Sequence, residues 1–250
     1  MLSKAQISLI ASLQHKKFRT QHNLFVVEGI KSVLEFVHSP YKVEKIFYTD
    51  EASTKLDKIP QNIKLENTTQ QEFSKISSLK TPQGALALVQ LPPAQNINIT
   101  QLKGGHHLVL DDIQDPGNLG TIIRTAEWFG MKHILCSQHT VDAYNPKVVQ
   151  ASMGSLSRIH IHYLDIEEFL QKASLPTFGA LLDGNSIFNT DFGSEGVIIM
   201  GNEGNGIRKS LQEKIDHRIT IPRIGQAESL NVAIATTIFC AELARQRLNI

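Results

Sequence analysis

Three short stretches of this chain hold residue types that could do chemistry, and each follows an apolar run. The first is Asp111-Asp112-Ile113-Gln114-Asp115-Pro116-Gly117-Asn118-Leu119-Gly120. It leads into a segment where Leu119, Ile122, Ile123, Ala126 and Phe129 recur at helical spacing. Asn118 stands where an N-cap belongs. Arg124 lies beside the buried positions Ile122 and Ile123, where a guanidinium must reach water or pair. The second stretch, Gly201-Asn202-Glu203-Gly204-Asn205-Gly206, places three glycines in six residues, so backbone can approach a ligand closely. The third, from Ile221-Pro222 to Ser229-Leu230-Asn231, runs into a strongly apolar closing segment. Ser229 is placed to cap that helix, and the Asn231 amide at its head needs a partner.

The glycine stretch reads GxxGxG, not the GxGxxG of a dinucleotide fold, and Glu203 would repel a pyrophosphate. A nicotinamide dehydrogenase is disfavoured on both counts. A ligand without phosphates and with some positive charge suits the loop better. S-adenosylmethionine, a sulfonium with an ammonium group, has that character.

The elements that must position these stretches alternate along the second part of the chain. Strands are expected at 108–110, 133–136, 158–163, 178–182, 197–200 and 218–221. Helices are expected at 119–129, 147–153, 166–173, 207–215 and 229–247. Nearly continuous apolar strands between helices predict a parallel sheet covered on both faces, with ligands at the carboxyl ends of its strands. The first part predicts a smaller α/β module, with a helix after Glu28-Gly29 and strands at 43–48 and 84–91. Ile7, Ile10 and Leu13 fall at helical spacing before it. Leu91-Pro92-Pro93 breaks both helix and sheet, giving domains at 1–92 and 105–250 with a linker at 93–104.

Cutting the 250-residue chain at Gly104 divides its net charge of +1 unequally. Residues 1–104 carry 13 Lys+Arg against 8 Asp+Glu, and the remainder 12 against 16. A basic first part suggests that it holds a polyanion. Lys16, Lys17 and Arg19, in His15-Lys16-Lys17-Phe18-Arg19, are the candidate contacts to such a polyanion, with Phe18 available to stack on a base where that polyanion is a nucleic acid such as RNA. Cys136 and Cys240 lie far apart, which fits a reducing, cytoplasmic setting. No apolar run approaches the roughly 20 residues of a membrane span. Histidines 106, 107, 160 and 162 have no nearby Cys or Glu to complete a ligand set, so no metal is assigned. His160 and His162 are read as lining one exposed strand face.

Taken together, the three stretches resemble the signature motifs of the SpoU (TrmH) class of RNA ribose 2′-O-methyltransferases. The resemblance rests on Asp115-Pro116-x-Asn118-x-Gly120-x3-Arg124, Gly201-x-Glu203-Gly204-x-Gly206 and Ile221-Pro222-x2-Gly225-x3-Ser229-Leu230-Asn231, with Ala151-Ser152-Met153-Gly154-Ser155 between them. The first part is similar to the auxiliary substrate-binding domain of that family through Leu13-x2-Lys16-Lys17-Phe18-Arg19, Phe25-Val26-Val27-Glu28-Gly29 and Thr81-Pro82-Gln83-Gly84. The resemblance implies a SPOUT-type sheet with a C-terminal trefoil knot, and an active site completed across a homodimer. It implies that Gly201, Ile221 and Leu230 contact S-adenosylmethionine, and that Asn118, Arg124, Glu203, Ser229 and Asn231 form the catalytic cluster. The implied substrate is RNA, ribosomal in preference to transfer RNA. The reading from another class is a non-catalytic ribosome-assembly factor.

Overall fold

A computed structural model describes residues 1–56, 59–93 and 97–249. The chain divides into two compact units, Met1–Ala94 with Asp142–Ser157, and Gln95–Val141 with Arg158–Ile250. Residues 94–96 of the expected linker lie outside the described residues. The rest of that stretch includes a 3-10 turn, Ile99–Leu102, whose Leu102 is fully buried.

In chain order the first unit begins with α1 (Lys4–Ser12), α2 (Lys16–His22), β1 (Leu24–Glu28), α3 (Ile30–Val37) and β2 (Val43–Tyr48). It continues with α4 (Asp50–Ser53), β3 (Lys64–Asn67), α5 (Gln70–Phe73) and β4 (Ala85–Gln90). The sheet order is β1-β4-β2-β3, with β4 antiparallel to both neighbours and β3 parallel to β2. Alternation along β1 sends Leu24 and Val26 into one core with Ile10, Leu13, Phe73 and Leu88. It sends Phe25 to the other face, where its ring meets those of Phe36, Tyr41 and Tyr144. Both faces are covered, so every residue of β1 is buried.

The second unit contains β5 (His106–Leu110), α6 (Pro116–Trp128) and β6 (His133–Cys136). The chain then returns to the first unit for α7 (Pro146–Ala151), which packs on β1. Residues 147–153 were expected as a helix between strands of the second unit's sheet; the helix exists, but its apolar side, Val148 and Val149, belongs to the first unit. There follow β7 (His160–Tyr163), α8 (Ile166–Ala173), β8 (Thr177–Ser186), β9 (Gly196–Met200), α9 (Lys209–Gln212), β10 (His217–Thr220) and α10 (Val232–Leu248). The sheet order is β10-β8-β9-β5-β6-β7, with every pairing parallel. Val109, Leu135, Val197 and Ile199 meet α8 and Leu211 on one face. On the other side α6 and α10 pack together, joined by the Thr125 and Thr237 hydroxyls at 3.3 Å. The strand order changes direction beside β5, so loops leaving β5 and β9 open a crevice at their carboxyl ends.

At the opposite, amino ends of the strands the histidines form a stack. His133 is stacked on His160 and His162, with Nδ1 of His133 3.1 Å from Nε2 of His162. His160 is exposed but His162 is buried, so the pair does not line one exposed face as expected; the two share a side of β7, and that side is covered at His162, where it bonds His133. Burial is the main cause that pushes His133 down to about 4, and His162, His107, His160 and Lys132 add repulsion. An imidazole neutral in the fold and ordinary in the unfolded chain takes up a proton on unfolding. Its contribution is therefore intact above pH 6.5 and lost as pH falls towards 4. His133→Phe is expected to reduce that loss by about 1–2 kcal/mol near pH 5 after solvent screening. Urea melts at neutral and acid pH measure it; equal slopes for wild type and variant would reject it. Among the described residues no group of three or more His, Cys, Asp or Glu is placed to hold a metal ion, and no helix is long and apolar enough to cross a membrane.

Candidate active site

Helix α6 starts from Asp115, whose carboxylate accepts from the Asn118 backbone N–H at 2.8 Å. Asp115, not Asn118, is the N-cap, with Pro116 in the first turn, where its missing N–H costs nothing. The Asn118 side chain is thus released for other work. Likewise Asn231, not Ser229, caps α10: its Oδ1 accepts from the N–H groups of Ala233 at 2.9 Å and Ile234 at 3.3 Å.

That cap decides how the neighbouring amides are turned. With Oδ1 of Asn231 facing backbone donors, its Nδ2 donates to Oδ1 of Asn118 at 2.9 Å. Nδ2 of Asn118 then donates to Oε1 of Glu203 at 2.7 Å. A directed row runs from the electropositive end of α10 through two amides to a carboxylate. Residues separated by 113 and 85 positions are brought within one hydrogen bond of each other.

The glycine loop is rigid for reasons visible in its backbone. Asn202 and Gly206 exchange two backbone bonds, at 3.1 and 2.9 Å, with Gly206 at φ +68°. The Asn202 amide donates to the Asp112 carbonyl at 2.8 Å, and its oxygen accepts from Gly204 and Asn205. A Cβ on Gly201 would lie 2.3 Å from the Gly206 carbonyl carbon and the Ile207 nitrogen. Below the loop, fully buried Asp111 accepts from the Arg208 backbone at 2.9 Å and from its Nε at 2.8 Å. Sequence reasoning missed Asn202, Asp111 and Arg208. The polar Asp111 ending an apolar strand was the available signal.

The other expected residues are placed as follows. Arg124 is exposed on α6, and its guanidinium has no partner among the described residues, so of the two courses open to it, reaching water or pairing, it takes the first. Ser229 is exposed in the loop before α10. Ile221 is half-buried at the end of β10, and the Leu230 side chain is 49 % exposed. In the first unit Lys16 and Lys17 are exposed, with the Lys17 ammonium 5.9 Å from the Phe18 ring centroid. Arg19 is different. It is 2 % exposed, donates to the Leu13 and Gln14 carbonyls, and forms an ion pair with Asp142. Its charge is spent inside the unit and does not face a nucleic acid.

Residues 105–241 match the SpoU rRNA methylase family, and residues 4–87 match the MRM3-like substrate-binding domain. The chain is 33 % identical over 235 residues to the 23S rRNA (guanosine(2553)-2′-O)-methyltransferase RlmP of Bacillus subtilis (strain 168), covering 92 % of each. A solved structure from Porphyromonas gingivalis, described as an RNA methyltransferase of the TrmH family, is 36 % identical with a TM-score of 0.87, covering 98 % of this chain and 99 % of that one. The AdoMet-bound rRNA methyltransferase of Sinorhizobium meliloti is 29 % identical with a TM-score of 0.84, covering 99 % and 97 %. The two-unit α/β architecture, its parallel sheet and the three loops at its strand ends are therefore those of a known group, and the chain belongs to the SpoU rRNA methylase family.

Proposed function

We propose that the protein methylates a ribose 2′-hydroxyl of large-subunit ribosomal RNA, using S-adenosylmethionine as donor. The observation that carries this reading is the directed row Asn231–Asn118–Glu203 beside the rigid glycine loop. The residues present fit the donor. Gly201 leaves backbone uncovered where a side chain has no room, Leu230 and Ile221 offer apolar surface, and Glu203 tolerates a cation but not a pyrophosphate. Bound there, S-adenosylmethionine supplies an electrophilic methyl on a sulfonium.

The chain's own residues act on the hydroxyl. Glu203 and Asn118 hold the ribose in position, and Ser229 and Asn231 shape the substrate side. Holding the hydroxyl oxygen in line can contribute several kcal/mol, since good orientation is worth about 7–11 in favourable cases. Arg124 orients the neighbouring phosphate and stabilises the alkoxide that develops as the hydroxyl proton leaves. A guanidinium keeps its own proton far above neutral pH, so this role suits it better than that of a general base.

Arg124 stands apart from the bonded row because the site is completed by a second copy of the chain. It shares a face of α6 with Trp128, which is 81 % exposed, and Ile234 on α10 is 52 % exposed. Apolar surface of this kind on α6, α10 and the loop between β10 and α10 suits a homodimer interface. Residues 105–250 carry out the transfer, with the C-terminal segment threaded as a trefoil knot. Residues 1–92 hold the RNA through Lys16 and Lys17, in the cytoplasm. The likeness to RlmP, named as a 23S rRNA methyltransferase, supports ribosomal over transfer RNA. Ribose-methylation mapping of total RNA from cells with and without the gene tests the proposal. One large-subunit site is expected to disappear and to return with the wild-type gene; loss of a transfer-RNA site, or of none, would refute it.

A further inference from the structure

The glycine loop is tied at both ends to two consecutive residues. At its start, Nδ2 of Asn202 donates to the Asp112 carbonyl at 2.8 Å. At its end, one residue takes both carboxylate oxygens of Asp111: Oδ2 accepts from the Arg208 backbone N–H at 2.9 Å, and Oδ1 from its Nε at 2.8 Å. Asp111 directly follows β5. The chain then turns left-handed at Asp112, φ +61°, whose N–H is fixed on the Ser137 hydroxyl at 2.9 Å. Between the two ties the loop closes on itself through Asn202 and Gly206, and Glu203 lies in the turn between them. The Glu203 side chain is exposed and bonds only to Asn118 among the described residues, so its place is set by the backbone of the loop.

Stability does not account for the second tie. Asp111 is fully buried, whereas 44 % of the Arg208 side chain is exposed. A buried ion pair is ordinarily no better for the fold than well-packed apolar groups in its place. What it adds is direction. A carboxylate that grips both the backbone and the side chain of one residue fixes where that residue lies and how it is turned. Arg208 stands at the head of α9, with Ile207 before it and Leu211 after it anchored in the core. The end of the loop is thereby held between that core and the end of β5. We propose that Asp111 and Arg208 are positioning residues for methyl transfer: their bond holds the glycine loop where the Glu203 carboxylate meets the Asn118 amide. The assignment rests on the reading of the Asn231–Asn118–Glu203 row as the methyl-transfer site.

Two double variants of the full-length protein remove the same charges and differ only in the tie. In Asp111→Asn/Arg208→Gln the glutamine amide stands where arginine carries Nε, so two amides bond in place of the ion pair. In Asp111→Asn/Arg208→Met the backbone bond remains and the side-chain tie is lost. Neither leaves a buried charge unpaired, so both are expected to fold. The side-chain amide resonance of Asn118 in ¹⁵N spectra, assigned by its loss in Asn118→Ala, reads the loop position without cofactor or RNA. It is expected to move in the methionine pair and to stay in the glutamine pair. With S-adenosylmethionine saturating, kcat on large-subunit RNA is expected to fall about a hundredfold in the methionine pair, the scale of a misplacement of about 1 Å. The glutamine pair should stay close to wild type. The single variants Arg208→Met and Arg208→Gln repeat the comparison against the native carboxylate, and decide it should the methionine pair fail to fold. An unmoved Asn118 resonance without the tie overturns the proposal. Equal loss of kcat with and without the tie overturns it too, because the guanidinium itself would then be what the reaction needs. Failure of the wild-type protein to methylate any large-subunit RNA removes the site reading and the role in transfer with it, while the resonance still decides whether the tie places Glu203.

Discussion

Arg124→Ala is expected to slow methyl transfer by at least about a thousandfold, the scale of losing a charged group that stabilises a developing oxyanion. Cofactor affinity and melting temperature should not change, because the side chain is exposed and bonds to nothing among the described residues. Arg124→Lys should recover little, since a point charge cannot reproduce a planar fork on a phosphate. Methyl incorporation into large-subunit RNA, alongside calorimetry with S-adenosylmethionine, measures both quantities. Near-full turnover in Arg124→Lys would refute a specific guanidinium role. The proposed completion of the site across two subunits adds a sharper outcome. Mixing Arg124→Ala with Asn118→Ala subunits should restore about a quarter of wild-type activity, because random pairing makes half the dimers mixed and each has one intact site. No recovery after exchange would place both residues in a site built by one subunit.

Gly201→Ala should weaken cofactor binding severely, by about a hundredfold if the overpacking cost of about 1–3 kcal/mol falls on the cofactor-binding form of the loop. A Cβ 2.3 Å from the Gly206 carbonyl carbon and the Ile207 nitrogen meets backbone, which cannot rotate aside. The two bonds between Asn202 and Gly206 must open, and Glu203 is carried away from Asn118 with them. Overpacking of this kind costs about 1–3 kcal/mol in stability as well. Gly204→Ala is the control, since its nearest neighbour would be the Asn202 side-chain oxygen at 3.5 Å. Calorimetry on both variants is the measurement; wild-type affinity in Gly201→Ala would mean that the loop does not form the cofactor's floor.

Asn118 and Glu203 were visible in the sequence because each is a polar residue beside glycine next to an apolar run, and Asn231 because it is a polar amide at the head of the apolar closing segment. What spacing cannot show is the direction of a side chain. Asp115 and Asn118 are both good caps three residues apart, and only the geometry decides that Asp115 takes the backbone and Asn118 the site. Arg19 misled for a related reason: within a run of basic residues, nothing local marks the one whose partner, Asp142, lies 123 positions away. The sheet was legible where strands were continuously apolar. β8 was expected only at 178–182 because Asp183, Gly184, Asn185 and Ser186 are polar or small, and β10 beside it carries them as strand. Asp111 and Arg208 form a bridge below the glycine loop that no motif spacing encodes.

The return of residues 142–157 to the first unit sets the order in which the protein can mature on the ribosome. Tyr144 supplies a ring against Phe25, and Asp142 supplies the counter-charge that buried Arg19 requires. Neither has been synthesised when the chain passes Pro93, so the amino-terminal unit cannot close first and wait. By the time it can, β5, α6 and β6 have already emerged. The two units must therefore mature in overlap, and a fragment cut at the proline pair would carry an exposed aromatic face and an unpaired guanidinium.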